Sequence, residues 1–140
     1  MKELLLTLFL TINSVFAFCQ RADLTQKIET LQNFMNTHIP DMNSGILHFQ
    51  MTVEKGNLIV ETFTDVQDDE DETSYTKEFD LKDNPIILEK FKLSKEESDA
   101  YGYSLYWEVS VGNKFLLSNI ESKNDAEKLV DLLKDIKSQL

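Results

Sequence analysis

The chain has 140 residues, of which 41% are hydrophobic, 10% aromatic and 28% charged, and its formal net charge is −11. This composition indicates one globular domain and excludes a wholly disordered chain, a collagen, a disulfide-dense knot and a multi-span membrane protein. Because so acidic a surface repels phosphate groups, we expect no nucleic-acid partner and no docking to anionic membranes by charge.

The first twenty residues have the features of a secretory signal peptide. Lys2 provides a cationic start, and an apolar run follows from residue 4 to residue 12. Ala17 and Cys19 place small side chains where signal peptidase requires them, so we predict cleavage after Cys19. The chain then consists of a signal peptide, residues 1–19, and one domain, residues 20–140. We expect a periplasmic or secreted bacterial protein.

The same segment leaves three alternatives open. Cleavage before Phe18 would use Val15 and Ala17 instead. Residues 4–20 carry no charge, and this length is at the lower edge of the roughly 17–25 residues that span a bilayer, so the segment could remain as an anchor. Cys19 could carry a lipid, although the residue before it is bulky. We expect contact with a membrane only in the last two cases. Cleavage after Cys19 leaves no cysteine, which excludes thiol catalysis and Cys-ligated zinc.

Residues 23–39 have the pattern of an amphipathic helix. Asp23 is placed to cap this helix, and Gln26 follows three residues later, as in a capping box. Apolar side chains recur at helical spacing, namely Leu24, Ile28, Leu31 and Met35, with Phe34 beside them. Pro40 then ends the predicted helix.

A period of two replaces the helical pattern in the middle of the chain, which predicts strands with one solvated face. The strands are expected at residues 47–54, 58–66, 75–81, 101–111 and 115–120. Gly-Asn pairs at 56–57 and 112–113 predict two tight hairpins. In the strand over 101–111, the side chains of Tyr101, Tyr103 and Trp107 alternate in phase with the apolar residues and are expected to face the core.

The remaining segments complete an α+β domain. Residues 85–93 allow either a helix that begins at Pro85 or an edge strand, and we favour the strand, followed by a helical turn from Ser94. Ser122 and Asp125 predict a capping box at the start of a C-terminal helix, whose apolar face comprises Ala126, Leu129, Val130, Leu133, Ile136 and Leu140. We therefore predict one antiparallel sheet of five or six strands, covered by the N-terminal and C-terminal helices, in the order α-β-β-β-(β or α)-β-β-α.

An acidic run between the second and third predicted strands is the first candidate for metal binding. It comprises Asp65, Asp68, Asp69, Glu70, Asp71 and Glu72. Its aspartates, Asp65, Asp68, Asp69 and Asp71, could bind Ca²⁺ weakly, because Ca²⁺ takes six to eight oxygen ligands. The run contains no glycine for the sharp turn of an EF-hand loop. We favour a solvated loop, and we expect no other cofactor.

Three further residues are candidates for ligand or partner binding. His48 and Tyr106 both lie on the polar face of their predicted strands, and Glu108 shares the face of Tyr106. The sequence contains no Gly-x-Ser-x-Gly motif and only four glycines, so neither a nucleophile elbow nor a phosphate loop is indicated. We expect a small exported binding module without catalysis, whose partner is an unknown protein or small ligand. The alternatives are a hydrolase that uses His48 with carboxylates, and a weak calcium-binding protein.

Overall fold

A computed structural model describes the backbone of residues 2–38, 45–64 and 73–140, and the side chains of these ranges from residue 20 onward. These described residues form three helices and six strands in the order α-β-β-β-β-α-β-β-α, which confirms the α+β class. The elements are α1 (Lys2–Thr37), β1 (Ile46–Glu54), β2 (Asn57–Thr64), β3 (Thr73–Asp80), β4 (Ile86–Lys92), α2 (Lys95–Tyr101), β5 (Leu105–Val111), β6 (Lys114–Ile120) and α3 (Lys123–Lys137).

The strands form two antiparallel sheets of three, in the orders β1-β2-β3 and β4-β5-β6. The prediction of a single sheet of five or six strands is therefore wrong, although β4 confirms the strand that we favoured for residues 85–93. The chain changes sheets in the turn after β3, where Leu81 is completely buried. In the same turn, the Lys137 ammonium donates to the Asn84 carbonyl over 2.7 Å. The core and α3 thus hold the turn after which β4 pairs with β5 and not with β3.

Helix α1 begins much earlier than the sequence pattern predicted. Asp23 was expected to cap a helix over residues 23–39, whereas α1 starts at Lys2. The residues ahead of Asp23 include neither glycine nor proline, so nothing interrupts the helix there. Asp23 instead lies inside α1, where its carboxylate is 3.2 Å from the Lys27 ammonium. The helix ends at Thr37, before the predicted end.

A hydrophobic core lies between the terminal helices, α1 and α3, and the two sheets. The predicted apolar faces of both terminal helices are confirmed, because their central residues are buried: Leu31, Phe34 and Met35 in α1, and Ala126, Leu129, Val130, Leu133 and Ile136 in α3. The first sheet contributes Phe49, Met51, Leu58, Val60 and Phe79, and the second contributes Val109, Val111, Leu116, Leu117 and Ile120.

The aromatic strand is shorter than predicted, because a helix includes its first residues. Tyr101 ends α2, and β5 begins only at Leu105. Helix α2 starts with a capping box between Ser94 and Glu97 and ends at Gly102, whose φ of 79° is left-handed. The predicted helical turn from Ser94 is thus confirmed, and the strand predicted from Tyr101 is wrong at that end.

The core-facing side of β5 follows the prediction only in its second half. Val109 and Val111 are buried, and Trp107 is half-buried against the core. Tyr101 and Leu105, in contrast, are 50% and 37% exposed. The apolar alternation of the sequence therefore continues beyond the edge of the core.

Helix α1 covers the free edge of β1 with two side-chain amides. The Asn36 Oδ1 accepts from the Phe49 N–H over 2.7 Å, and the Asn36 Nδ2 donates to the Phe49 carbonyl over 3.1 Å. The Gln32 Oε1 accepts from the Met51 N–H over 2.8 Å. These amides replace the hydrogen bonds of a neighbouring strand, so this edge is closed to further strands.

The ends of α1 and α3 meet at one pair of side chains. The Ser122 hydroxyl accepts from the Asp125 N–H over 3.3 Å, which is the first half of the predicted capping box. The Asp125 carboxylate lies 3.5 Å from the His38 Nε2. The His38 ring also stacks on Phe34, with 4.1 Å between ring centroids, so His38 links the two helices.

Candidate functional site

The outward side of the second sheet brings two of the predicted site residues together. Directly opposite residues of an antiparallel pair share a face, and Glu89 is opposite Glu108 while Phe91 is opposite Tyr106. The core-facing residue Val109 lies on the other side. Tyr106 and Glu108 are two residues apart in β5, so all four side chains form one group. We call Glu89, Phe91, Tyr106 and Glu108 the outer patch.

An aromatic stack occupies one end of the outer patch. The rings of Phe91 and Tyr106 lie 5.2 Å apart at an interplanar angle of 15°. A second stack, between Tyr101 and Tyr103, has 6.1 Å between ring centroids. The face of an aromatic ring carries negative partial charge, so a cation is attracted to whichever ring face the stack leaves uncovered.

Carboxylates lie near two of these aromatic rings, those of Tyr106 and Tyr103. Burial raises the pKa of the Tyr106 phenol, and the charges of Glu108 and Glu97 raise it further. Burial also raises the pKa of Tyr103, with a second contribution from Glu121. Both shifts disfavour a further negative charge, as expected where the local potential is already negative.

Two carboxylates of the outer patch, those of Glu89 and Glu108, face each other across neighbouring strands. Burial raises the pKa of the Glu108 carboxyl, and the charge of Glu89 adds to this effect. Among the described residues, no side chain forms a hydrogen bond or an ion pair with either carboxylate. Like charges directly opposite each other destabilise a sheet, so this arrangement costs stability in the free protein.

His48 lies in the other sheet, apart from Tyr106 and Glu108. Its ring stacks on Phe63 across β1 and β2, with 4.4 Å between ring centroids and 7° between planes. A register shift between Ile46 and His48 also changes the phase of β1. Leu47, two residues before the buried Phe49, is consequently 49% exposed.

The predicted calcium ligands lie outside the residues that the structure describes. Asp65, Asp68, Asp69 and Asp71 are not among the described residues, so the weak calcium site stays a prediction. Within the described ranges, no group of three or more His, Cys, Asp or Glu side chains is placed to hold a metal ion.

Sequence reasoning missed Glu89 and Phe91, the β4 half of the outer patch. Both were inside the segment whose secondary structure was ambiguous. Even with β4 assigned as a strand, its register against β5 could not be read from the sequence, because α2 separates the two strands. A tight hairpin would have fixed that register by its turn type.

A cleft between the two sheets was also missed. Its volume is about 170 Å³, and one wall is the core-facing side of the first sheet, with Phe49, Val60, Thr62, Tyr75, Lys77 and Phe79. The other wall is residues 115–119 of β6. No sequence signal relates these walls, since they belong to separate sheets.

Comparisons of the chain with protein-family models, with curated proteins and with solved structures found no significant match. In the described part of the chain, no helix has the length and hydropathy that crossing a membrane requires. The functional argument therefore rests on the geometry of the outer patch and of the cleft.

Proposed function

We propose that the protein is an exported, non-catalytic binding module that recognises cationic groups on its outer patch. The ligand class is the lysine and arginine side chains of a protein partner. The signal-peptide features of residues 1–19 support export. The carboxylates and stacked rings of the outer patch support the ligand class.

The facing pair of Glu89 and Glu108 is the observation that carries this proposal. Two carboxylates in direct cross-strand register lower the stability of the free protein, and no described side chain neutralises them. A bound guanidinium or ammonium group would supply the missing positive charge. The arrangement thus makes folded-state stability and cation binding depend on the same two side chains.

The adjacent rings favour organic cations over metal ions. A lysine or arginine side chain gains about 0.5–2 kcal/mol over an aromatic face, according to its exposure. The Phe91–Tyr106 pair lies on the same face as the Glu89–Glu108 pair and is the next cross-strand pair on that face. A side chain with a flat cation and an apolar stem therefore finds both of its contacts there.

Binding of a hexa-arginine peptide tests the site. We expect saturable binding, measured by isothermal titration calorimetry at physiological salt, that weakens at least about tenfold in Glu108→Gln. Tyr106→Leu should also weaken binding, whereas Tyr106→Phe should retain it, because only the ring face is required.

Glu54→Gln is the matched control for charge. Glu54 is exposed at the end of β1 in the other sheet, and its replacement changes the net charge of −11 by the same amount. Equal losses in Glu54→Gln and Glu108→Gln would show that only the overall charge attracts the peptide. That result would contradict the proposed site.

Export has its own test. After expression with the complete N-terminus in a Gram-negative host, intact-mass measurement should give a chain of residues 20–140 in the periplasm or medium. A mass that retains Met1–Cys19, or that includes acyl chains on Cys19, would contradict export as a soluble protein.

A further inference from the structure

One charged side chain, that of Lys77, lines the cleft between the two sheets. It occupies a position in β3 that alternates in phase with the buried Phe79. Lys77 of β3 is directly opposite Val60 of β2, which is 3% exposed. Since opposite residues share a face, Lys77 lies on the same face of its sheet as Val60, although the Lys77 side chain itself is exposed. Its ammonium is 5.8 Å from the centroid of the Tyr75 ring.

No described carboxylate neutralises Lys77. Its ammonium takes part in no ion pair among the described residues. The same cleft is lined by Thr62, which is only 3% exposed and supplies a hydroxyl. The first-sheet wall therefore combines the Lys77 ammonium and the hydroxyls of Thr62 and Tyr75 with an apolar surface formed by Phe49 and Phe79.

The opposite wall of the cleft is irregular. Strand β6 shifts register twice against β5, and Asn119 adopts a left-handed φ of 59°. One shift allows the consecutive residues Leu116 and Leu117 both to be buried. Bulges of this kind redirect side chains and are common beside binding sites. Phe115, at the start of this wall, remains 55% exposed.

We propose that this cleft binds a small molecule with one aromatic ring and one carboxylate. The carboxylate pairs with the Lys77 ammonium, and the ring lies between the phenylalanines of the first sheet and β6. The volume of about 170 Å³ suits a single ring, because a cavity of roughly 150 Å³ accommodates benzene. This site is independent of the outer patch and of its cationic ligands.

Charge complementarity selects an acid over a neutral ring or a cation. In a protein with net charge −11, a carboxylate is repelled by most of the surface. At the cleft, the positive charge of Lys77 attracts a carboxylate locally. The Lys77 side chain is exposed, so its ammonium lies at the open side of the cleft, where the carboxylate of a ligand can reach it.

Benzoate and benzamide are the probes, since they have the same ring and differ in charge. We expect benzoate to shift the amide NMR signals of residues 75–79 and 115–119 in a saturable manner. Benzamide should bind at least about tenfold more weakly. In Lys77→Met the affinity for benzoate should fall to that for benzamide.

Lys90→Met is the matched control. The Lys90 ammonium is 5.7 Å from the Trp107 ring in the second sheet, which is nearly the geometry of Lys77 over Tyr75. Benzoate binding should be unchanged in this variant. Equal binding of the two probes, signals that shift elsewhere, or an equal loss in both variants would overturn the proposal. Self-association of Lys77→Met with unchanged benzoate affinity would also overturn it, because Lys77 would then act only as a charge that blocks pairing at the sheet edge.

Discussion

On the outward face of the first sheet, both glutamates of β2 and β3 have a hydrogen-bond donor on the neighbouring strand, whereas on the second sheet two glutamates face each other. The Ser74 hydroxyl donates to Glu61 over 2.8 Å, and the Asn57 side chain donates to Glu78. Glu89 and Glu108 have only each other. The first sheet therefore provides a donor for each of these two glutamates, and the second sheet leaves its two facing carboxylates without one.

We expect the largest loss of stability from a substitution of Asn36, which covers the free edge of β1. Asn36→Ala removes both hydrogen bonds to the Phe49 backbone and leaves a donor and an acceptor unpaired beside the core. We expect the free energy of unfolding to fall by about 1–2 kcal/mol, measured by urea denaturation. Asn33→Ala, an exposed position on the same helix, is the control and should change little. Equal effects would indicate that helix propensity, and not the edge contact, decides the result.

A charge reversal in the outer patch should increase stability. Glu108→Lys converts the like-charged pair with Glu89 into an opposite pair, for which we expect a gain of about 0.5–1 kcal/mol at neutral pH. The same variant should lose binding of the hexa-arginine peptide. If Glu108→Lys were less stable than the wild type in thermal denaturation, repulsion between Glu89 and Glu108 would not be what lowers the stability of the free protein.

The pH dependence of stability should differ between variants of Glu108, whose pKa is raised, and variants of Glu97, whose pKa is lowered. Because the pKa of Glu108 is raised in the folded protein, chiefly by burial, its contribution to stability is present at low pH and is lost as pH rises through the folded pKa. Glu108→Gln should therefore stabilise the protein by roughly a few tenths of a kcal/mol at pH 7. The gain should disappear below about pH 4, the ordinary range for a glutamate.

Glu97→Gln should behave in the opposite way. Hydrogen bonds from the Ser94 backbone and side chain lower the pKa of Glu97, so its contribution to stability is present above the ordinary pKa. That contribution is lost as pH falls through the lowered folded pKa. The variant should be destabilised at pH 7 and equal to the wild type in acid. Parallel pH profiles for the two variants would contradict the assigned causes.

The smallest effect is expected in the first sheet. Ser74→Ala removes one exposed donor to Glu61, and we expect a loss of about 0.5 kcal/mol or less in urea denaturation. The variant should not affect peptide binding. A gain in stability would show that the hydroxyl does not compensate Glu61, and the contrast between the sheets would fail.

The sequence predicted local features and left long-range pairings undetermined. Apolar spacing identified the buried faces of α1 and α3, because helical periodicity is a property of one segment. The same argument placed Tyr106 and Glu108 on one face of β5. The separation into two sheets occurs at the turn after β3, where Leu81 is buried in the core and the Lys137 ammonium donates to the Asn84 carbonyl. These contacts join distant segments of the chain, so the sequence pattern of one segment does not indicate them.

The candidate sites show the same limit. The β4 half of the outer patch depends on strand register across an intervening helix, and the cleft depends on how two sheets face each other. Lys77 carried a sequence signal, since it interrupts the apolar phase that leads to Phe79. Its meaning became clear only when Val60 was found opposite.

Titration of the Glu108 carboxyl by ¹³C NMR, with and without the hexa-arginine peptide, tests the central claim most directly. We predict that the pKa of Glu108 is above its ordinary range in the free protein and falls when the peptide is bound, because a cation favours the carboxylate. A hexaglutamine peptide should leave the pKa raised. An ordinary pKa in the free protein, or a raised pKa that saturating hexa-arginine does not lower, would contradict the account.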